Sequence, residues 1–193
     1  MIYFVIPAYN EEANLPALLD SLAGWAGRRK ADCHVVVVDD GSRDGTAAAA
    51  ERFQGLPLTL VRHAVNLNVH RVFDSGFRAV LERGPDERDL VISLEADNTS
   101  SLAVLDRMIE QAGRHDLVLA SCYAPGGGVE GTNLYRRLLS GCANLLLRLS
   151  PGMPRVHTFS SFYRVYRAGL LRRCYEAYGS RLFELEGFVC VVE

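Results

Sequence analysis

Lysine is nearly missing from this chain: Lys30 is the only one in 193 residues, so arginine carries almost all of the positive charge. Long apolar runs are missing too, because no stretch approaches the roughly eighteen uncharged apolar residues that a membrane-spanning helix needs. The first apolar run is too short for a signal peptide and has no basic residues before it. We therefore predict neither a membrane span nor a signal peptide.

Cysteine and histidine show no pattern that indicates a metal site. The five cysteines lack the paired spacing of metal ligands, and their number is odd. We interpret them as reduced thiols of a cytosolic protein. No histidine stands out as a catalyst, because four of them have no partner at an informative spacing: His34, His63, His115 and His157.

Charge is distributed unevenly along a chain whose length suits one domain with a single core. Residues 1–132 have a net charge of −7, whereas residues 133–181 have nine arginines, one acid and a net charge of +8. Such a contrast suggests different partners for the two parts. The acidic part suits a metal–nucleotide site, and the basic part suits an anionic acceptor or an anionic membrane surface. We expect no nucleic-acid partner.

Two junctions near the start of the chain join an apolar run to a polar cluster. Residues 2–6 are followed by Pro-Ala-Tyr-Asn-Glu, and residues 35–38 are followed by Asp-Asp-Gly-Ser. Each apolar run is typical of a buried parallel strand. Because ligands of open α/β sheets bind at the carboxyl ends of the strands, both clusters should face one pocket. Its acids would repel a bare phosphate, but Asp39 and Glu11 can accept hydrogen bonds from a nucleoside.

A third junction places two more acids at the same edge. The apolar run at residues 89–94 ends in Glu95, Ala96 and Asp97. Carboxylate oxygens suit Mg²⁺ or Mn²⁺, and Mg²⁺ usually takes one or two carboxylates together with substrate phosphates. A divalent ion there would hold a diphosphate against the acidic pocket.

Strands alternate with helices along the chain, which predicts an α/β fold with a mostly parallel sheet and helices on both faces. Further strands are expected over 56–61 and 116–121. Helices are expected over 11–28, 46–53, 71–82, 102–111 and 133–149. On the last of these helices, Arg137, Ser140, Asn144 and Arg148 share one face.

In this order and spacing, the three junctions resemble the family-2 glycosyltransferases of the GT-A fold, over nearly the whole chain. Glu95-Ala96-Asp97 stands where that family usually has Asp-x-Asp. The segments 123–129, 137–144 and 164–167 look like those of the polyprenyl-phosphate glycosyltransferases, of the dolichyl-phosphate mannose synthase type. The resemblance implies one GT-A-like, Rossmann-like domain over residues 1–193.

The resemblance also implies an inverting, metal-dependent enzyme. Its donor would be a GDP- or UDP-linked sugar, and its acceptor an anionic polyprenyl phosphate met at the cytoplasmic face of a membrane. Asp97 and Glu95 would be the catalytic residues and would bind Mg²⁺ or Mn²⁺. The residues expected to bind substrate are Pro7, Tyr9, Asn10, Glu11, Asp39, Asp40, Gly41, Ser42, Asn66, Ala96, Arg137, Ser140 and Arg164.

Four positions depart from the family pattern. Asn68 and His70 stand where glycines are common, Cys122 where an arginine is usual, and Thr158 where an aspartate is usual. These departures motivate one alternative, a catalytically degraded relative that binds nucleotides. A second alternative, a glycosyltransferase acting on a hydroxyl of a cell-surface glycan, also stays open. Because residues 187–193 are apolar and related enzymes continue beyond this point, we also expect a domain truncated at its C-terminus.

Overall fold

A six-stranded sheet forms the centre of the part of the chain that the structure describes. This is a computed structural model, and it describes residues 1–121 and 161–183, apart from the side chain of Ser180. The strands are β1 Ile2–Ala8, β2 Cys33–Asp39, β3 Leu58–Arg62, β4 Leu90–Ser93, β5 Leu117–Leu119 and β6 Arg164–Arg167, in the order β3-β2-β1-β4-β6-β5. The helices are α1 Leu15–Arg29, α2 Thr46–Arg52, α3 Asn68–Glu82, α4 Leu102–Ala112 and α5 Ala168–Tyr178, followed by a 3₁₀ turn over Gly179–Phe183.

The strands β3, β2, β1 and β4 run parallel, so that their carboxyl ends meet at one edge. In this register Ala8 lies beside Asp39, and Val5 lies beside Ser93. The predicted mostly parallel sheet is thereby confirmed. Strand β6 runs antiparallel to both β4 and β5, and places Arg164 beside Ser93.

Helices cover both faces of the sheet, because strands such as β2 are apolar on both sides. Val35 and Val37 pack with α1 and α4 on one face, whereas Val36 and Val38 pack with α3 and α5 on the other. All four valines are fully buried. This is the pattern expected for a parallel strand between two helical layers, and it confirms the predicted arrangement.

Two helices begin at other residues than expected. Helix α1 starts at Leu15 rather than at residue 11, because Asn10 has a left-handed backbone (φ 56°) and residues 11–14 form a turn, closed by the Asn14 amide on the Glu11 carbonyl oxygen, before the helix. Helix α3 starts at Asn68 rather than at Arg71. Its first turn is stabilised by Asp40, which accepts the amide hydrogens of Leu67 and Asn68. That cap comes from a residue distant in sequence.

Several expectations fall outside the described residues. They concern the helix over 133–149 with Arg137 and Ser140, the segment 123–129, the departures Cys122 and Thr158, and the apolar stretch 187–193. Within the described ranges, Cys33 and Cys174 are free thiols. No helix in those ranges has the length and apolar character needed to cross a bilayer.

Candidate active site

The three predicted junctions meet in one cleft at the carboxyl edge of the sheet. The cleft has a volume of about 460 Å³. Its acidic side carries Glu11, Glu95 and Asp97, and its apolar side carries Val69, Val72, Phe73 and Phe162. The other lining residues are Pro7, Ala8, Tyr9, Asp40, Asn66, Asn68 and Ala96. The convergence agrees with the rule that ligands of open α/β sheets bind beyond the carboxyl ends of the strands.

A second cavity, of about 520 Å³, adjoins the cleft and shares Tyr9 and Asn66 with it. It lies beyond the ends of β2 and β3. The remaining residues that line it are Gly41, Ser42, Arg43, Arg62, His63, Ala64 and Val65. Tyr9 is 45% exposed, so its ring offers a surface between the two cavities.

Asp39 lies beneath this second cavity rather than on its wall. Its carboxylate is fully buried, and Oδ1 accepts the amide hydrogen of Ser42 at 3.0 Å. The other oxygen, Oδ2, has no hydrogen-bond partner, although the Arg62 Nε lies 3.5 Å away in a longer ionic contact. A buried carboxylate oxygen without a donor is costly, and a ligand N–H or O–H group would satisfy it.

Asp40, the next residue, has an internal role that its sequence position does not reveal. Its Oδ1 accepts from His63 Nδ1 at 2.7 Å and from the Leu67 amide at 2.9 Å. Its Oδ2 accepts from the Asn68 amide at 3.1 Å. Asp40 therefore holds the segment 64–68, which forms part of both cavities.

The Asn10 and Ser42 segments are joined directly by hydrogen bonds. The Asn10 amide donates to Ser42 Oγ at 2.9 Å, and the Asn10 Oδ1 accepts the Arg43 amide at 2.9 Å. The Glu11 amide donates to Thr46 Oγ1 at 2.8 Å. These contacts fix the ends of β1 and β2 against each other. Asn10 lines neither cavity, so the structure gives it a positioning role.

Glu95, Asp97 and Glu11 form the acidic side of the cleft. Burial raises the pKa of Glu95, and the nearby charges of Asp97 and Glu11 raise it further. Asp97 Oδ1 accepts both the amide and the hydroxyl of Thr99, at 3.0 and 2.8 Å, which orients its side chain. In the described ranges no group of three or more His, Cys, Asp or Glu side chains is arranged to hold a metal. Two carboxylates suit Mg²⁺ only together with phosphate oxygens.

Arg164 is not among the residues that line the cleft. It lines a small adjacent cavity with Phe162, Phe73 and Tyr166, and its Nε donates to the Ser161 carbonyl oxygen at 2.7 Å. Phe73 and Phe162 stack at 5.2 Å between their ring centroids and line both spaces. An aromatic pair therefore lies between Arg164 and the acids.

Sequence reasoning missed His63 and marked Asn68 only as a departure from the family pattern. His63 bonds to Asp40 and also to Ser75 Oγ, at 2.9 Å, although no spacing in the sequence marks it. Asn68 has φ 69°, a left-handed conformation that glycine adopts freely and asparagine tolerates. The family's preference for glycine at this position was the available signal, and the conformation explains it.

The fold is that of the GT-A glycosyltransferases. A crystal structure of glucosyl-3-phosphoglycerate synthase from Mycobacterium tuberculosis, in complex with Mn²⁺, uridine diphosphate and phosphoglyceric acid, aligns with a TM-score of 0.65 at 19% identity. The alignment covers 100% of this chain and 61% of that one. At this identity the likeness establishes the architecture alone.

Sequence comparison identifies the family. The model of glycosyl transferase family 2 matches residues 3–174, so the chain belongs to that family. It is 31% identical over 174 residues to a polyprenol monophosphomannose synthase of Mycolicibacterium smegmatis, and 32% identical over 170 residues to an undecaprenyl-phosphate mannosyltransferase of Micrococcus luteus. These alignments cover 88% and 87% of this chain, but only 62% and 67% of the two relatives.

Proposed function

We propose that this protein transfers a sugar from a nucleoside diphosphate sugar to an anionic polyprenyl phosphate at the cytoplasmic face of a membrane, with inversion at the anomeric carbon. The observation that carries the proposal is the cleft itself. Acids from three strand ends line one space there, beside a second cavity with a buried carboxylate beneath it. This pairing suits a ligand with a hydrogen-bonding base and ribose at one end and a diphosphate at the other.

The nucleoside would occupy the second cavity. Tyr9 offers a partly exposed ring for stacking, since aromatic rings stack on any base. Asp39 Oδ2 would accept a ligand N–H or O–H group once the Arg62 side chain, which is 57% exposed, moves aside. Binding of the nucleoside would thus satisfy an oxygen that the protein leaves without a donor.

The diphosphate would lie in the cleft, where Glu95 and Asp97 would hold a divalent ion, Mg²⁺ or Mn²⁺. When bound, this ion supplies Lewis-acid stabilisation to the departing diphosphate. The protein contributes an acidic wall that attracts the cation, and Thr99 keeps the Asp97 carboxylate oriented. Phe162 and Phe73 form the apolar wall on the other side of the cleft.

Two observations support a polyprenyl phosphate as the acceptor: the names of the relatives and the chemistry of a phosphate nucleophile. The names of the two relatives describe sugar transfer to polyprenol and undecaprenyl phosphates. A phosphate oxygen is already anionic and needs no strong base, which agrees with a cleft whose lining includes no histidine among the described residues. Arg137 and Ser140, in the basic segment 133–181, would bind the acceptor phosphate, whereas Arg164 lies behind Phe73 and Phe162 and would act only through the charge it adds near the cleft.

The deciding experiment measures transfer of labelled sugar to undecaprenyl or dolichyl phosphate and to soluble glycans, with Mn²⁺ or with chelator. We expect metal-dependent transfer to the lipid phosphate. Asp97→Asn should reduce it by roughly a hundredfold or more, as loss of a group that stabilises developing charge does. Asp20→Asn, which removes an exposed carboxylate on α1, should leave it unchanged.

Two results would contradict the proposal. Efficient transfer to a glycan hydroxyl with none to lipid phosphate would favour an enzyme of cell-surface glycans. Metal-dependent binding of a nucleoside diphosphate, with no transfer to either acceptor, would favour a relative that binds nucleotides without catalysis.

A further inference from the structure

His63 forms the middle of a chain of three polar side chains from three different elements. Its Nδ1 lies 2.7 Å from Asp40 Oδ1, at the end of β2, and its Nε2 lies 2.9 Å from Ser75 Oγ, on α3. The imidazole follows β3 directly and has only 8% of its side chain exposed. Because a carboxylate only accepts, Nδ1 donates its proton to Asp40, and Nε2 shares a second hydrogen bond with the Ser75 hydroxyl.

Ser75, His63 and Asp40 have the residue types of a hydrolase triad, but the geometry excludes that use. Ser75 lines neither the cleft nor the second cavity, so its hydroxyl faces neither space. No substrate carbonyl has a place beside it in either space. The hydrogen bonds of His63 therefore affect the segment of the chain that Asp40 binds.

What Asp40 holds is the segment 64–68. Its carboxylate accepts the amides of Leu67 and Asn68, at 2.9 and 3.1 Å. The segment also packs tightly on Gly41, where a Cβ would lie only 2.6 Å from the Val65 carbonyl carbon. Inward movement is thus blocked at Gly41, and outward movement is opposed by the Asp40 hydrogen bonds.

Residues 64–66 line the second cavity, while Asn66 and Asn68 line the cleft. A shift of this segment therefore changes both cavities at once. We propose that His63 is a positioning residue: fixed by Ser75, it orients the Asp40 carboxylate, which sets segment 64–68 as the common wall of the two cavities. The proposal rests on the proposed function in taking these cavities as the donor site.

Two substitutions of His63 distinguish the role of Nδ1 from the role of Nε2. The side-chain nitrogen of asparagine is bonded to Cγ, as Nδ1 of histidine is. His63→Asn therefore keeps a donor for Asp40 and loses the contact with Ser75. The side-chain nitrogen of glutamine lies one carbon further from the backbone, at the level of Nε2 of histidine. His63→Gln therefore keeps a polar group for Ser75 and loses the donor for Asp40. His34→Gln is the matched control, because His34 is also buried and bonds to a hydroxyl, Thr59 Oγ1, at 2.9 Å.

Three quantities are measured for each variant: the melting temperature, the hydrogen-exchange rates of the Leu67 and Asn68 amides, and the affinity for UDP and GDP with Mn²⁺. In His63→Gln we expect both amides to exchange faster and nucleotide affinity to fall about tenfold, the effect of one lost hydrogen bond to a charged group. His63→Asn should show smaller changes in both. His34→Gln should lower the melting temperature without either effect.

A purely structural role would give a different pattern. If His63→Gln lowers the melting temperature as His34→Gln does, with exchange and affinity unchanged, His63 only packs, and the proposal is wrong. If the unmodified protein binds neither UDP nor GDP, the proposed function fails, while the exchange rates still decide whether His63 sets the segment.

Discussion

Asn68 shows how one backbone angle decides which residues a position accepts. Its φ of 69° lies in the left-handed region, which costs most L-residues about 1–2 kcal/mol and glycine nothing. Asn68→Ala should therefore unfold more easily than Asn68→Gly by about 1 kcal/mol. Urea denaturation of the two variants measures this difference through the transition midpoints at equal slope.

The two variants lack the same amide side chain and keep the same backbone N–H, which bonds to Asp40. Their difference therefore isolates the backbone conformation. Equal midpoints would mean that residue 68 leaves the left-handed region when its side chain changes.

At this scale the sequence predicts residues that follow an apolar strand directly, as Glu11, Glu95 and Asp97 do. It does not predict which of two adjacent acids faces outward. Asp39 is covered by Arg62, and Asp40 is satisfied by His63 and two amides. These partners come from distant parts of the chain, so no local pattern reveals them.

Helix α3 lies close against the sheet because one of its residues has no side chain. A Cβ at Gly76 would lie 2.5 Å from Val5 Cγ1 and 3.2 Å from Val38 Cγ2. Gly76→Ala should therefore destabilise the protein by about 1–3 kcal/mol, as overpacking of a core does. In contrast, Gly27→Ala on α1 should stabilise the protein by about 0.4–1 kcal/mol. A Cβ there would have no atom within 4 Å beyond its own stretch of helix, and alanine restricts the unfolded chain more than glycine does.

Thermal or urea unfolding of the two alanine variants shows directly whether each substitution raises or lowers the free energy of unfolding. The same substitution in two helices then has opposite effects, and packing against the sheet is the cause. Destabilisation of similar size at both positions would show that helix α3 adjusts its distance from the sheet at little cost.

Elements with strong local signals were predicted well. Strands β1 and β2 contain continuous apolar runs, and α2 and α4 begin at the expected residues. The start of α3 was missed because its cap, Asp40, is remote. Strand β6 was not predicted, because a run as short as Arg-Val-Tyr-Arg indicates neither a strand nor its antiparallel partner.

The whole molecule should respond to its ligand through linkage. A nucleoside diphosphate at 100 times its dissociation constant adds about 2.7 kcal/mol to the free energy of unfolding. In a domain of this size that raises the melting temperature by roughly 5–10 °C. We expect this increase with Mn²⁺ and its loss with chelator, because the acidic wall otherwise repels the diphosphate.

Two variants distinguish the contribution of the metal to this rise in melting temperature from the contribution of the nucleoside. Asp97→Asn should remove the metal-dependent part, whereas Asp39→Asn should keep it but require about tenfold to a hundredfold more nucleotide. A scan of melting temperature against UDP and GDP concentration measures both. An equal increase in excess chelator would contradict a metal-bridged diphosphate.

The position of β6 has a consequence for the order in which the chain folds during its synthesis. Strand β6 lies between β4 and β5, and among the described strands β5 pairs with β6 alone. Residues 117–119 therefore leave the ribosome before residues 164–167 exist to receive them. At a translation rate of about 5–20 residues per second, β5 has no pairing partner for several seconds. During this interval the edge of β4 can pair with other nascent chains. Translation speed over this interval should therefore affect how much of the protein reaches the folded state.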